Sequence, residues 1–350
     1  MSICILGAGV SGILLTLLLA ETSIPLETIY IIDPHFDGGD LSRKWSTVMS
    51  NTPWSVTLLS IKTHLPSLQI PKWAEILPLD APTPVCIIAK LLRESSEQIL
   101  KRVNIIQDYA TAANWSTATS RWTISVKGGR QIISKAVCFA VGGTPKAFDI
   151  CVPSIPLEVA LDVHRLKAYI EPHSKVIVFG TRHSGVHVLK NLVDCSANSI
   201  VGIYKNASGN PFMYARDGEY DGIKLDAAII ADEIVANKYP NITLLPTTDL
   251  PTILRETRNA DWVVYAIGFE PQLLDISVDT TPITCSDYDP LCGIIKNCQS
   301  AWGFGLAYPS QAPDGIHFDV GVSSFLEHIH KQIPSIVSTV LPASAGNQIA

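Results

Sequence analysis

The stretch "ICILGAGVSGILLTLLLA", Ile3–Ala20, decides the fold of this chain. Its opening residues, "ICIL", predict a buried strand, and the apolar run after the glycines predicts a helix. Between them the glycines stand in the order G-x-G-x-x-G. In such a turn Gly7 makes the tight bend, Gly9 lets the backbone approach a pyrophosphate, and Gly12 lets the helix pack on the strand. The stretch therefore predicts the phosphate-binding turn of a dinucleotide-binding βαβ unit.

The residues that follow complete this pattern. The turn Gly7–Gly12 leads into the predicted helix Ile13–Ala20, at whose N-terminus free N–H groups and a partial positive charge favour a phosphate, and Val10 and Ser11 are the further candidate residues for the cofactor. The next predicted strand, Thr28–Ile32, leads to Asp33, which is followed by Pro34. A carboxylate in that position accepts hydrogen bonds from a ribose hydroxyl. Strand, helix and acid agree, which favours a bound dinucleotide over a glycine-rich turn without a ligand.

A weaker copy of the pattern lies in mid-chain, in "VIVFGTRHSGVHVL", Val176–Leu189. Gly180 and Gly185 are kept, but Arg182 replaces the second glycine and hinders the closest approach of a pyrophosphate. The polar donors at this helix start are Thr181, His183 and Ser184. These features predict a cofactor that is held loosely and exchanges, and a purely structural βαβ unit is the alternative.

The residue after the next strand indicates which cofactor the second unit takes. Lys205 follows the predicted strand Ser199–Tyr204, in the position that Asp33 has in the first unit. An acid favours a bare ribose, whereas a cation tolerates a 2′-phosphate. The pattern favours NADPH and leaves NADH open. An ordinary surface lysine is the alternative for Lys205, as an exposed helix-start residue is for His183.

Composition argues against several other classes of protein. The 350 residues suffice for two domains of about 150 residues, and the net charge of −6 argues against nucleic acid as a partner.

The longest apolar stretch, Ile13–Ala20, is too short for a membrane span, and no signal peptide pattern follows Met1, so we expect a cytoplasmic protein without a membrane partner. No His/Cys spacing fits a metal site. Exposed strand edges and Trp-rich loops are compatible with a homodimer.

The eight cysteines include no C-x-x-C or C-x4-C pair. Most of them are expected to be small buried residues. Cys292 and Cys298 lie in a predicted loop, where a redox pair is only weakly indicated. Their role stays open.

The remaining pattern divides the chain. Residues 34–84 are irregular and carry Trp45, Trp54 and Trp73, which either line a substrate pocket or pack beneath a long loop. "RWTISV" and "AVCFAV" flank the turn "KGGR" and predict an antiparallel pair. Residues 322–340 predict a terminal helix. The fold class is therefore α/β, with one Rossmann-like unit inserted into another.

Four segments resemble the flavoproteins that carry two dinucleotide-binding domains. They are "GAGVSG" with its acid, "VCFAVGGTPK", "GTRHSG" and "VVYAIGFEP", and they follow one another in the order of that family. The resemblance implies an FAD-binding domain in residues 1–155 and 285–350 and an NAD(P)H-binding domain in residues 156–284. It also places Gly142 and Gly268, in the two crossing segments, at the cofactors.

Within this family the flavin-dependent monooxygenases are the better match. "FDGGDLSRKW" is similar to the segment after their ribose-binding acid, which implies that Trp45 contacts the cofactor. "STVMSNTPWS" is similar to the segment whose asparagine lies beside the flavin ring, which implies that role for Asn51. "DWVVYAIGF" is similar to the N-hydroxylating members. Disulfide reductases need a cysteine pair of a spacing that this chain lacks. The usual G-D pair near the C-terminus is missing, since Gly305-Leu306 stands there, and Asp319 is either a displaced equivalent or a loop acid.

The resemblance implies that FAD takes hydride from NADPH and meets molecular oxygen. The resulting C4a-hydroperoxyflavin oxygenates a small nitrogen- or sulfur-containing metabolite. A dry pocket and a nearby donor protect that intermediate, and the Asn51 amide is the candidate donor. Ordinary turn chemistry in "SNTP" is the alternative for this residue. Two other functions stay open: a reductase that passes electrons to a protein or a quinone, and a flavoprotein that binds nucleotides without catalysis.

Overall fold

The computed structural model describes residues 2–205, 209–212, 223–272, 274–312, 315 and 318–341. The chain forms two compact units. The first comprises residues 1–46, 52–143 and 271–350, and the second comprises residues 47–51 and 144–270. The main borders, at 143/144 and 270/271, lie before the predicted ones at 155/156 and 284/285.

Helices and strands alternate in residues 3–106 and 175–265, whereas the described parts of residues 107–145 and 266–319 contain no α-helix. The helices are α1 (Val10–Ala20), α2 (Asp40–Arg43), α3 (Trp54–His64), α4 (Lys72–Glu75), α5 (Val85–Leu100), α6 (Leu157–Ala160), α7 (Val163–Leu166), α8 (His183–Asp194), α9 (Asp226–Val235), α10 (Leu250–Arg258) and α11 (Val322–Val340). The strands are β1 (Ile3–Leu6), β2 (Ile29–Ile32), β3 (Met49–Pro53), β4 (Pro82–Pro84), β5 (Asn104–Ile106), β6 (Ala110–Ser116), β7 (Arg121–Val126), β8 (Gln131–Ser134), β9 (Ala136–Phe139), β10 (Gly143–Pro145), β11 (Lys175–Phe179), β12 (Ser199–Tyr204), β13 (Ile242–Pro246), β14 (Trp262–Tyr265), β15 (Phe269–Pro271), β16 (Asp275–Val278), β17 (Thr281–Pro282), β18 (Tyr288–Asp289), β19 (Ile294–Ile295), β20 (Ala301–Gly303), β21 (Ser310–Gln311) and β22 (Phe318–Asp319).

A sheet in the order β18-β19-β20-β9-β1-β2-β5 forms the centre of the first unit. β1 runs parallel to both neighbours, with Ile5 opposite Ile31 on β2 and Cys138 on β9. Every residue of β1 and β9 is buried, as in a parallel sheet that is covered on both faces. The first glycine turn therefore starts at the carboxyl end of a central strand, which is where such sheets bind ligands.

One predicted strand pairing is wrong. "AVCFAV" contributes β9, which lies beside β1 in the central sheet and does not pair with "RWTISV". The latter segment forms β7, which pairs antiparallel with β6 and β8. β7 and β8 alternate between buried and more exposed residues, as strands with one solvated face do, whereas β9 is buried throughout. The unbroken apolar run of β9 is the feature that separates the two kinds of strand.

The two faces of the central sheet bury different layers. Ile3 and Ile5 belong to a core that they share with residues of α1, α3, α5 and α11. Cys4 and Leu6, which point the opposite way along β1, belong to a core shared with the mixed sheet β17-β16-β6-β7-β8, in which β16 and β6 run parallel and the other neighbours antiparallel. The helix α11 packs against α1 and α3, so the end of the described chain closes the core around the first glycine helix.

The second unit contains a parallel sheet in the order β13-β12-β11-β14. β11 lies between β12 and β14, with Val178 opposite Gly202 and Val264. The helix α8 packs on β11 and β12. The second glycine turn, between β11 and α8, therefore lies at the carboxyl end of a central strand, as the first one does.

Among the helices that the structure describes, none has both the length and the apolar character of a membrane span. Within the same residues, no three His, Cys, Asp or Glu side chains are grouped as metal ligands would be.

Candidate functional site

Two glycines of the first turn, between β1 and α1, are enclosed by backbone. Gly7 has a φ of +102°, and its N–H donates to the Ile32 carbonyl at 2.8 Å. A Cβ on Gly7 would lie 2.3 Å from the Ala140 carbonyl oxygen. A Cβ on Gly12 would lie 1.9 Å from the Gly7 carbonyl oxygen. Close backbone packing therefore accounts for both glycines without a ligand.

Gly9 differs from these two glycines. It has a φ of −71° and a ψ of −168°, an extended conformation that other residues also adopt. A Cβ built on Gly9 meets no atom within 4 Å. The missing side chain therefore leaves space beside the N-terminus of α1, where the free N–H groups of the helix favour a phosphate.

The second glycine turn repeats the geometry of the first. Gly180 has a φ of +98°, and its N–H donates to the Ile203 carbonyl at 2.8 Å. A Cβ on Gly180 would lie 2.3 Å from the Ala266 carbonyl oxygen. A Cβ on Gly185 would lie 2.0 Å from the Gly180 carbonyl oxygen. The same backbone arrangement thus occurs once in each unit.

Arg182 marks the difference between the two turns. It precedes α8 as Gly9 precedes α1, and its φ of −77° and ψ of −171° nearly match those of Gly9. Because this conformation suits any residue, the arginine causes no backbone strain. It does place a side chain at the position where the first turn is open.

Asp33, at the end of β2, is bound chiefly to backbone and is only 8% exposed. Its Oδ2 accepts the Ala8 N–H at 2.8 Å. Its Oδ1 accepts the N–H groups of His35 at 2.8 Å and Phe36 at 3.0 Å. The carboxylate therefore ties the glycine turn to the loop after β2. Three of its roughly four acceptor positions are used, which leaves about one for a ribose hydroxyl.

The polar residues predicted for the second turn fall into different environments. Lys205 is exposed immediately after β12, and Ser184 is half-buried near the start of α8. Thr181 is buried, and its Oγ1 donates to the Pro211 carbonyl at 2.6 Å. This hydroxyl is committed within the protein, which corrects the expectation that it offers a free donor.

His183, the first residue of α8, is not an exposed helix-start residue. Its side chain is half-buried, and both ring nitrogens are buried without a hydrogen-bond partner. The ring lies edge-on to His187, with the centroids 4.9 Å apart. Burial, followed by the nearby His187 and Lys224, lowers the pKa of His183 to about 4, although Asp226 opposes this. The imidazole is therefore neutral at physiological pH.

The tryptophans of residues 34–84 pack against the protein. The prediction that this stretch is irregular was wrong, since it contains three helices and two short strands, among them the eleven-residue helix α3. Trp54 is completely buried, and its Nε1 donates to the Ala74 carbonyl at 2.7 Å. Trp73 is half-buried, and its Nε1 donates to Glu94 Oε2 at 2.7 Å. Trp45 is also buried. Trp54 therefore packs within the protein and does not line a substrate pocket, because no part of its side chain is exposed.

Asn51 is exposed and lies within β3. The alternative that "SNTP" forms a turn at this residue is therefore wrong. Solvent reaches the side chain, as a ligand contact would require, and its role beside a flavin stays a prediction.

The predicted residues of the crossing segments have glycine-specific conformations. Gly142 has a φ of +75° and Gly268 a φ of +93°, and a Cβ on either would meet no atom within 4 Å. Pro34, after the ribose-binding position, is half-buried, and its carbonyl accepts Gln107 Nε2–H at 3.2 Å. These observations leave room for a ligand at the two glycines but do not identify one, so the role of Gly142, Gly268 and Pro34 at the cofactors stays a prediction.

The segment that replaces the missing G-D pair lies against the first glycine helix. Gly305 has a φ of +81°, and a Cβ there would lie 2.5 Å from Ser11 Oγ. The Phe304 N–H donates to the Phe139 carbonyl at 2.8 Å, which fixes the segment at the end of β9. Asp319 instead lies on β22, opposite Ser310 of β21. The sequence did not indicate the approach of Gly305 to Ser11, although the repeated glycines of "AWGFG" were a signal of close packing.

The cysteine pair considered from the sequence has little redox character. Both Cys292 and Cys298 are free thiols. Burial, assisted by Asp287, raises the pKa of Cys298 to about 12, and its Sγ donates to the Ile295 carbonyl at 3.3 Å. A thiol that stays protonated is a poor nucleophile, which argues against a reactive pair.

Comparisons with known proteins agree with this architecture. No family model matches the chain. The monooxygenase AgnR1 from Paecilomyces divaricatus is 24% identical over 384 residues, which cover 94% of this chain and 96% of that protein.

Similar solved structures include both monooxygenases and a disulfide reductase. The flavin-containing monooxygenase from Stenotrophomonas maltophilia matches with a TM-score of 0.62 and 14% identity, over 96% of this chain and 98% of that one. The bacillithiol disulfide reductase Bdr from Bacillus cereus matches with a TM-score of 0.63 and 14% identity, over the same shares of the two chains. OTEMO, solved in complex with FAD and NADP, matches with a TM-score of 0.54 and 11% identity, over 96% of this chain and 84% of that one.

These matches confirm the predicted α/β class and the resemblance drawn from the four sequence segments. They extend over nearly the whole chain. The chain has the fold of the flavoproteins with two dinucleotide-binding domains.

Proposed function

We propose that this protein is an FAD-dependent, NAD(P)H-consuming oxidoreductase, and within that class a monooxygenase that acts on a small nitrogen- or sulfur-containing metabolite. The observation that carries the proposal is the repetition of one turn geometry in two units, with open space at Gly9 and a side chain at Arg182. A glycine turn with open space suits a cofactor that stays bound, and a turn that carries a side chain at that position suits a cofactor that exchanges.

The first turn fits the diphosphate of FAD. Gly9 leaves room for close backbone approach, and the N-terminus of α1 at Val10 and Ser11 supplies N–H donors and partial positive charge. Asp33 holds the turn in place and retains acceptor capacity toward a ribose. When bound, FAD would accept hydride and pass electrons on to oxygen.

The second turn fits a nicotinamide cofactor that binds and leaves. The N-terminus of α8 and Ser184 offer donors, and exposed Lys205 stands where a 2′-phosphate would need a cation. The neutral ring of His183 adds hydrogen-bonding capacity without charge. This arrangement favours NADPH over NADH.

The monooxygenase branch is favoured by the cysteines and by the relative that is named a monooxygenase. A disulfide reductase needs a pair of cysteines with a characteristic short spacing, which this chain lacks. AgnR1 matches this chain over nearly its whole length. Asn51 is the residue that we assign to the reacting site, where an amide donor would limit the loss of reducing equivalents as peroxide.

Turnover in air tests this function. The FAD-loaded protein is mixed with NADPH and a panel of small amines and thioethers, and the consumption of NADPH and oxygen is followed with the release of hydrogen peroxide. A monooxygenase forms an oxygenated product that carries label from isotopically labelled oxygen. Rapid reduction of a quinone, with no labelled product from any member of the panel, would instead support the reductase alternative.

Asn51→Ala provides the residue-level part of this test. We expect a larger share of NADPH oxidation to end as hydrogen peroxide, by about tenfold if the amide contributes one hydrogen bond to a charged group. Asn114→Ala, on β6, is the control. Unchanged coupling in Asn51→Ala would remove this residue from the reacting site and leave the assignment of the cofactors intact.

A further inference from the structure

An arginine that the sequence did not single out lines a cavity beside the first glycine turn. The cavity lies between the start of α1, the loop after β2 and the helix α5. Its lining includes Gly9, Val10, Phe36, Gly38, Leu92 and Arg93. Arg93 is the sole charged side chain among the described residues that line it.

The packing of α5 holds this arginine close to the turn. The helix α5 packs against α1 and α2. A Cβ built on Gly38 would lie 3.0 Å from the Cβ of Ala89, which is one turn before Arg93. The helix α5 and the loop after β2 are therefore in close contact. Gly39 is similarly close to the turn, since a Cβ on it would lie 2.8 Å from Gly9 Cα. The position of Arg93 beside the turn therefore follows from the packing of the first unit.

The other cations near this turn have acidic partners. The guanidinium nitrogens of Arg43 lie 3.5 Å from Asp37 Oδ1 and 3.2 Å from Asp40 Oδ1. Lys44 Nζ lies 3.0 Å from Asp40 Oδ2. On α5 itself, Lys90 lies 4.0 Å from Glu94. Arg93 is exposed and has no acidic partner among the residues that the structure describes.

The charges of the neighbouring loop favour a cation beside a dianionic ligand. Residues 33–44 contain three aspartates against one arginine and one lysine, which gives a net charge of −1 beside the turn. A diphosphate would add negative charge to this surface. The helix N-terminus alone offers only about half an elementary charge of the opposite sign. A guanidinium adds a full charge and can bond two phosphate oxygens at once.

We propose that Arg93 binds the diphosphate of the dinucleotide that occupies the first glycine turn. This inference rests on the proposed function, because it takes FAD as the occupant. Arg93 supplies the countercharge, and Gly9 and the start of α1 supply the backbone donors. The arginine thereby makes affinity depend on the phosphates of the ligand and on salt.

The test compares FAD binding by the cofactor-free full-length protein and its variants. Dissociation constants are measured from the change in flavin fluorescence at low and high salt, and ADP and adenosine are used as competitors. We expect Arg93→Gln to raise the FAD dissociation constant about tenfold or more, to weaken its salt dependence, and to reduce the preference for ADP over adenosine. Arg93→Lys should retain part of the affinity, because the charge remains without the bidentate fork.

Arg102→Gln is the matched control. It removes the same charge from an exposed arginine just beyond α5, outside this cavity, and we expect a change of less than about twofold. Circular dichroism verifies that the variants are folded. If the wild-type protein bound no FAD, the proposed function would fail and this inference with it. If it bound FAD but Arg93→Gln had the wild-type dissociation constant, or matched Arg102→Gln, only the role of Arg93 would be overturned.

Discussion

At the scale of single residues, the glycines of the first turn serve two separable purposes. Gly12 is required by the fold, because a Cβ would lie 1.9 Å from the Gly7 carbonyl oxygen. Gly9 is required for access, because its backbone suits any residue and a Cβ would meet no protein atom within 4 Å. The two positions therefore distinguish a structural glycine from one that serves a ligand.

Alanine substitutions separate these purposes. We expect Gly12→Ala to lower the free energy of unfolding of the cofactor-free protein by about 1–3 kcal/mol or more, because backbone must move. Gly9→Ala should change that free energy by less than about 1 kcal/mol while weakening FAD binding. Urea unfolding and a flavin titration give both quantities. Equal destabilisation by the two substitutions would contradict the distinction.

A buried histidine gives a second prediction at this scale. His328, on α11, is 6% exposed, and its Nε2 lies 3.3 Å from the Tyr288 hydroxyl oxygen. That hydroxyl is also 2.9 Å from the Tyr308 carbonyl, to which it donates. Burial, with help from Lys331, lowers the pKa of His328 from 6.5 to about 4. Between these values the unfolded chain binds a proton that the folded chain does not, so stability is lost as the pH falls from 6.5 toward 4.

His328→Gln should therefore make the protein less sensitive to acid in this range. The expected result is a smaller decrease in Tm between about pH 7 and about pH 5 than in the wild type, whatever the Tm at neutral pH. His164→Gln removes an exposed histidine and serves as the control. Parallel Tm curves for the wild type and His328→Gln would show that His328 takes up its proton equally in both states.

At the scale of elements, α11 ties the end of the described chain to the first glycine unit. It packs against α1 and α3, and Leu326 is completely buried in their shared core. Leu326→Ala should lower the free energy of unfolding by about 2–5 kcal/mol, through lost burial and a cavity. Lys331→Ala, on the exposed side of the same helix, removes an ion pair with Glu327 and should cost about 0.5 kcal/mol or less. Similar losses in urea unfolding would mean that α11 is not part of this core.

Elements with strong local patterns could be predicted from the sequence, and elements defined by distant partners could not. The strand and helix around Gly7 and the terminal helix Val322–Val340 follow from periodicity and glycine spacing. The partner of β9 was predicted wrongly, because sequence proximity favoured a hairpin while burial on both faces favoured the central sheet. The approach of Gly305 to Ser11 joins residues far apart in sequence, which no local pattern contains.

The candidate site was predictable to a similar extent. The spacing of the motifs located both turns, because the last glycine of each turn packs against the first, Gly12 against Gly7 and Gly185 against Gly180. The commitment of Thr181 to the Pro211 carbonyl and the burial of the His183 nitrogens depend on other parts of the second unit. Arg93 was missed because a single arginine on an amphipathic helix looks like ordinary surface until the helix is placed beside the turn.

At the scale of the whole molecule, we propose that each of the two units binds one cofactor. The two units contain the same turn built around Gly7 and Gly180, and they differ where Gly9 corresponds to Arg182 and where Asp33 corresponds to Lys205. These differences are those expected between a tightly held FAD and an exchanging NADPH.

The most direct measurement is an anaerobic titration of the FAD-reconstituted protein with NADPH, followed by visible absorbance. We expect the protein to bind FAD, NADPH to bleach the oxidised flavin spectrum, and air to restore that spectrum. A protein that fails to take up FAD, or that keeps its FAD oxidised under excess NADPH and NADH, would contradict the central claim.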